Sequence, residues 1–396
     1  MTIAVAVLVA VAGLMSSAAA GEWQSSVRQE VKRSAALLQY TSRVYGSEAP
    51  IAFDLAVLEA RAARLSGADA KVERKALFSL RRAYISVDTV VSGDRYRRAD
   101  GSYNLARRLA DLRTREPLPD PQVAVRAGDR KRDQASVVIL AVIPLLLLYL
   151  VAEFVLRRRQ KGRRGASITA AADDVDLVPR PWSSPSKRRF GVSVALVAWL
   201  AVALFAVCQV QFANAEARAQ SASSRKAVQV STALGAGTLR SNFALDAARR
   251  ARMRAVEAVG KQLVALDESD QATVKRLGSE ADVEKATSDI ALSLAHGLSR
   301  PLTAVDGVDA ATRDAVNATL ADADVLRKDQ NREADRANAA GTRTSRVALA
   351  ILFAGLALSL SALAGSTRVA GATIMDRSAA GLLALALLAA FSALVF

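Results

Sequence analysis

Cysteine and histidine are all but absent from this chain, with one of each in 396 residues, Cys208 and His296. A single cysteine excludes an intrachain disulfide, so the folded parts hold together by packing alone. The same scarcity excludes a Cys/His metal site within one chain. Aromatic residues reach only 5%. No glycine-rich phosphate loop is present, and no cofactor pattern. His296 has Ser293, Ser299 and Asp289 nearby in sequence, but not the arrangement of a hydrolase triad, and it reads as a helix-end residue. Asn317-Ala-Thr319 matches a glycosylation sequon but falls within a predicted helix.

Also missing is an even spread of apolar residues. The chain is 52% hydrophobic with a formal charge of +16. Its apolar residues collect in five blocks, and the stretches between are highly charged. That is the pattern of a multi-pass helical membrane protein with sizeable aqueous parts. The positive excess is not gathered on one soluble region, so it reads as topology-setting and solvated charge, and nucleic acid is not expected as a partner. Arg- and Ala-rich usage points to a GC-rich bacterial genome.

Four blocks are predicted transmembrane helices, at 135–156, 190–212, 347–365 and 378–396. Pro144 sits in the middle of the first and removes a backbone hydrogen bond there. The fifth block, residues 1–20, reads as a signal peptide with Ser-Ala-Ala-Ala before Gly21, or as an uncleaved first span. No Lys or Arg precedes its apolar core.

Between the first two of these four spans lies a basic loop, 157–189. It carries Arg157, Arg158, Arg159, Lys161, Arg163, Arg164, Arg180, Lys187, Arg188 and Arg189 against Asp173, Asp174 and Asp176. The loop is short and its cations abut both spans, which assigns it to the cytoplasm by the positive-inside rule. Alternation then places 21–134 and 213–346 outside, the turn 366–377 inside, and the bulk of the aqueous residues on the extracytoplasmic face of an inner or plasma membrane. The loop is expected to meet anionic lipid, and Trp182 is a candidate anchor for a partner or for the bilayer surface.

Both outer regions read as helical bundles. In 21–134, Trp23, Val27, Val31, Ala35 and Leu38 recur at helical spacing, with Gly46 as a stop. Further helices are predicted at 51–65, from Asp69 to about Val91, and at 103–115 on Leu105, Leu109 and Leu112. "EPLPDP" then forms a stiff connector. In 213–346 the second span continues to Gly235 and Gly237. A helix at 239–266 follows, with Phe243, Ala247, Val256, Val259, Leu263 and Leu266 as candidate core. Others cover 279–298 and run from Asp309 towards the third span. Two spans continuing into outer helices over 190–365 resemble the four-helix-bundle sensor modules of bacterial chemoreceptors. That likeness implies an outer sensing bundle, but nothing here matches the signalling region those receptors carry in the cytoplasm.

Candidate functional residues are few. Glu153 is the one ionisable residue well inside a span, and either marks an ion path or pairs with Arg157 at the interface. "GDRYRRADG" sets Arg95, Arg97 and Arg98 around Tyr96, as a solvated loop or a site for an acidic partner. Ala350, Ala354, Gly355, Ala380 and Ala384 allow close helix approach. The composite expectation is an all-α, non-enzymatic membrane subunit that meets a protein partner through its outer helices. A sensor, or an accessory subunit of a transporter, are the alternatives.

Overall fold

The computed structural model describes residues 2–65, 67–84, 88–92, 94–98, 103–167, 185–295, 308–366 and 372–395. They form α1 (Thr2–Thr41), a π-helical turn (Ser42–Glu48), α2 (Ala49–Arg64), α3 (Gly67–Tyr84), a short 3-10 turn (Asp94–Tyr96), α4 (Leu105–Arg115), α5 (Pro121–Ser167), α6 (Pro185–Asp267), α7 (Gln271–Ala295), α8 (Val308–Ser366) and α9 (Ala372–Val395). The fold is all-α, and no strand occurs among the described residues. Among the described residues three helices contain stretches long and apolar enough to cross a membrane, within Ser193–Asp267, Val316–Ala364 and Ile374–Val395. The block 135–156 lies within α5, and Pro144 is accommodated there. The basic stretch expected as a loop is helical at both ends, because α5 runs to Ser167 and α6 begins at Pro185.

The chain divides into two compact units. The first comprises Met1–Val27, Pro121–Ser224 and Asn331–Phe396. Its interior is built from alanine. Val194, Ala198, Ala201 and Phe205 of α6 meet Val347, Ala350, Ala354 and Ala357 of α8 and Ala379, Leu383, Ala386, Ala390 and Ala393 of α9. The steps of three and four are those of a heptad seam. Small side chains let the helix backbones close on one another. The large residues face out, among them Leu352, Leu356, Leu385, Leu388 and Leu394. Of the residues singled out for close approach, Ala350 and Ala354 lie in the seam, while Ala384 is exposed. The seam runs instead through Ala379 and Ala386.

A polar layer tops this unit. Trp23 is buried and its indole N–H donates to Asp129 at 3.3 Å. Asp129 also accepts from Arg218 at 2.9 Å. Ser221 donates to the Trp23 carbonyl at 2.7 Å and lies 3.3 Å from the Ser26 hydroxyl. The buried face of α1 is therefore Trp23, Ser26, Glu30, Ser34 and Thr41, whereas Val31 and Ala35, expected inside, are exposed. At Ser26 the small hydroxyl meets that of Ser221, and the Thr41 hydroxyl donates to the Leu37 carbonyl of its own helix at 2.8 Å, so both are satisfied inside. Residues 8–19 belong to the same packing. Leu8 and Val9 lie against Ala203, Ala12 packs with Ile139 and Val207, and Ser16 accepts from Asn214 at 2.9 Å. The cleavage site expected after Ala20 falls in the middle of α1.

The second unit comprises Arg28–Asp120 and Arg225–Gln330. The two outer regions expected as separate bundles share this one unit. Phe53 of α2 is buried with Ala251 of α6 and Ala291 of α7, and this packing joins them. Gly235 and Gly237 do not stop a helix. They lie inside α6, where Leu38 comes within 3.0 Å and Thr319 within 2.3 Å of the position a Cβ would take. Their role is close approach. Gly67 does end a helix pair, at φ +68° in the turn from α2 to α3. Helix α3 is described to Tyr84, and residues 88–92 form a turn where helix was expected as far as Val91. The β-branched run after it is a poor helix former, and residues 88–92 turn so that Val90 enters the core.

Gly128 offers a direct check of the polar layer, since a Cβ there would sit 2.5 Å from the Trp23 indole nitrogen, while one at Gly341 meets only the flexible Glu216 carboxylate at 3.1 Å. Gly128→Ala should lower stability by about 1–3 kcal/mol and Gly341→Ala by clearly less, as measured by denaturant titration of the full chain followed by circular dichroism.

Candidate functional site

The segment 88–115 folds around a charge withdrawn from water. Helix α4 begins where the Asn104 side chain accepts the Arg107 amide at 3.0 Å, an N-cap. Leu105, Leu109 and Leu112 form its buried stripe. Arg108 falls on that same stripe, one turn after Leu105, and its side chain is 0% exposed. A guanidinium there must be neutralised by fixed partners.

Glu48, the last residue of the π-helical turn, supplies the first. Arg108 Nε and Nη2 donate to its two carboxylate oxygens at 2.9 and 3.1 Å, a bidentate pair. The same carboxylate accepts the Val90 amide at 2.8 Å and Arg43 Nε at 3.0 Å. Asp88 supplies the second. Its carboxylate accepts Arg108 Nη1 at 3.1 Å and Arg115 at 2.5 Å, and its backbone carbonyl accepts Arg108 Nη2 at 2.5 Å. The Tyr96 ring lies 5.5 Å from the Arg108 guanidinium carbon, within cation–π range. The Tyr96 hydroxyl donates to Asp111 at 2.9 Å. One arginine thus ties together the π-helical turn, the 88–92 turn, the 94–96 turn and α4.

The electrostatics follow from this crowding. Burial works against the Arg108 charge, but the Glu48 carboxylate and the Tyr96 hydroxyl outweigh it, so the guanidinium holds its proton more tightly than usual. Partial burial pushes the Asp88 carboxyl up, yet Arg108, Arg115 and Arg43 together hold it below the usual range. Tyr103, in the same core, is pushed up to about 12 by burial first and by Glu59 next.

Of the residues singled out in sequence, Tyr96 is buried in this core. Arg95 pairs with Asp111 and stacks on the Tyr96 ring at 4.5 Å. Arg97 pairs with Glu59, which also holds Arg81. Arg98 is exposed. The stretch is a packed corner with two of its three arginines already neutralised. Glu153, Arg157, Arg158, Arg159, Lys161, Arg163 and Arg164 lie on α5, and Lys187, Arg188 and Arg189 on the first turns of α6. Trp182, Arg180 and His296 fall outside the described residues. Sequence reasoning missed Arg108, Glu48 and Asp88. The available signal was a cation standing inside the 105–109–112 leucine stripe.

No protein-family model, curated protein or solved structure matches this chain. What the corner can do is therefore read from its own atoms. The Arg108 guanidinium and its carboxylate partners are engaged with one another, while the buried Thr89 hydroxyl in the adjoining turn has no hydrogen-bond partner among the described residues. Among the described residues no cluster of His, Cys, Asp and Glu suits a metal ion. A cleft of about 310 Å³ between α2 and α7 is lined by Arg64, Ser279, Asp282, Lys285, Ala286 and Asp289. Its charges alternate in sign and it lacks the apolar walls of a small-molecule pocket.

The corner is a clamp, and its energetics are testable. Glu48→Gln or Arg108→Met alone strands a buried charge and should cost about 3–5 kcal/mol. The double variant Arg108→Met/Glu48→Leu should recover at least half of that loss. Melting of the full chain followed by circular dichroism gives the comparison. Equal losses in single and double variants would show that the pair contributes nothing beyond packing.

Proposed function

We propose that this protein is an integral membrane subunit with no enzymatic activity, which docks a protein partner through the helices of its aqueous unit. One observation carries the docking role. The distal part of α6 is amphipathic with its apolar face turned outward. Ala247, Ala251 and Ala258 lie inside, and Arg254 and Lys261 pair with Glu284 of α7 on that side. Met253, Val256, Val259, Leu263, Val264 and Leu266 lie on the other side and are all more than half exposed, Leu266 by 83%. The candidate core read from sequence, Val256, Val259, Leu263 and Leu266, is thus a surface stripe. It sits about forty residues along α6 from the apolar block 190–212, well beyond the roughly twenty residues of a span. A contiguous apolar stripe of this kind on an aqueous helix marks an interaction surface.

Membrane insertion is supported by the alanine-lined seam with large residues facing out, the arrangement suited to lipid. We place residues 157–189 in the cytoplasm on their cations, in contact with anionic lipid, and the second unit on the extracytoplasmic face of a bacterial inner or plasma membrane. The contacts of Leu8, Val9, Ala12 and Ser16 favour residues 1–20 as a retained first span over a cleaved signal peptide. A sensory role is the second reading. It is favoured by α6 and α8, each of which runs unbroken from its apolar block into residues of the second unit.

Two experiments test these proposals. Val256→Glu and Leu263→Glu change exposed positions, so each should shift stability by no more than about 0.5 kcal/mol while abolishing copurification of a stoichiometric crosslinked partner. A large loss of stability, or an unchanged crosslinking pattern, argues that the stripe docks nothing. Sidedness is read from single cysteines placed in a Cys208→Ser background. Ser269→Cys should react with a membrane-impermeant maleimide on intact cells, and Ser183→Cys only after lysis. The reverse result inverts the topology.

A further inference from the structure

The distal part of α6 carries two seams. One face holds Ala247, Ala251 and Ala258 inside the second unit and pairs Arg254 and Lys261 with Glu284 of α7. On the opposite face Val256, Val259, Leu263 and Leu266 follow one another at steps of three, four and three, and all four are more than half exposed. Those steps are the a and d positions of a heptad. A flat or irregular partner makes no use of that register. A second helix, which inserts its side chains between successive a and d residues, requires it. The stripe is therefore built for a helix.

Its flanks point to a second copy of α6. Charges beside a seam select the partner in paired helices. The flanking e and g positions here are Met253, Ala255, Gly260, Gln262 and, at the end, Asp267. From Met253 to Gln262 none is charged, so nothing repels an identical helix. Copies inserted into one membrane with the same sidedness run in the same direction, and around a two-fold axis each a and d residue then meets its own counterpart. An all-apolar seam is complementary to itself. In such a parallel pair the g position of one helix faces the following e position of the other, which sets Gln262 opposite Asp267. Both are exposed, and among the described residues neither has a hydrogen bond or an ion pair. The Gln262 amide can donate to the Asp267 carboxylate, twice by symmetry. Upstream, the same heptad positions are held by Arg249 and Arg252, both exposed. Like charges would meet there, which confines the contact to Met253–Asp267.

We propose that two copies of this chain associate in parallel through Val256, Val259, Leu263 and Leu266, with Gln262 of each facing Asp267 of the other. This rests on the docking role of the stripe and names its occupant. In native membranes, Leu263→Cys in a Cys208→Ser background should form an intermolecular disulfide on mild oxidation, because equivalent a residues meet. Lys275→Cys, exposed on α7, should not link. In detergent the full-length parent should sediment as a dimer that dissociates on dilution. Val256→Glu and Leu263→Glu should each raise the dimer dissociation constant at least about tenfold, the scale of one central interface side chain. Arg252→Leu replaces a repelling pair with an apolar d residue and should lower it at least about fivefold, a gain that misfolding does not mimic. A parent that stays monomeric at every concentration overturns the pairing, as does a dimer in which Leu263→Cys fails to link. If in either case Val256→Glu still removes a stoichiometric crosslinked partner of different mass, the docking role stands and only the occupant is wrong. If Val256→Glu alters neither the dimer nor any crosslinked partner, both readings fail.

Discussion

Arg108 cannot reach water, and much of the second unit is arranged around that fact. A buried guanidinium has five N–H donors and a full charge, and stranding it costs about 3–5 kcal/mol, a large share of a fold's stability. Glu48 has to stand where its two oxygens meet the planar fork. It stands at the end of a π-helical turn, a geometry that an ordinary helix running through Ser42–Glu48 would not give. Asp88 has to turn back towards α4, which ends α3 early and carries Val90 into the core. Tyr96 has to close over the guanidinium, which fixes the corner that holds Arg95 and Arg97. The clamp selects one arrangement of four segments that have few aromatic anchors to sort them.

Much of this fold was legible in the sequence, and the misreadings have identifiable causes. The helices predicted at 51–65 and 103–115 match α2 and α4, and Pro50 and the Asn104 cap account for where they begin, because caps and proline act locally. The outward stripe of α6 did not. Periodicity shows that Met253, Val256, Leu263 and Leu266 share a side, but not whether that side meets the protein or something else. The faces of α1 were misread for the opposite reason. Ser26, Glu30, Ser34 and Thr41 look like a solvent face in sequence, and Ser221, which meets Ser26, lies far away in the chain. Gly235 and Gly237 misled in a third way, since glycine marks both helix ends and close crossings.

The candidate site was half visible. Tyr96 and its arginines stood out as a run of one charge around an aromatic. Local sequence could not show that Glu59 and Asp111 neutralise Arg97 and Arg95. Pairing between distant segments decides which cations are spent on the fold.

The alanine seam of the first unit has a consequence for motion. Leucine or methionine at such contacts would have to surrender rotamers each time the helices closed, whereas alanine has none to lose. Helices lined this way can part and meet again without re-sorting side chains. The interior of this unit is shaped as a low-friction track.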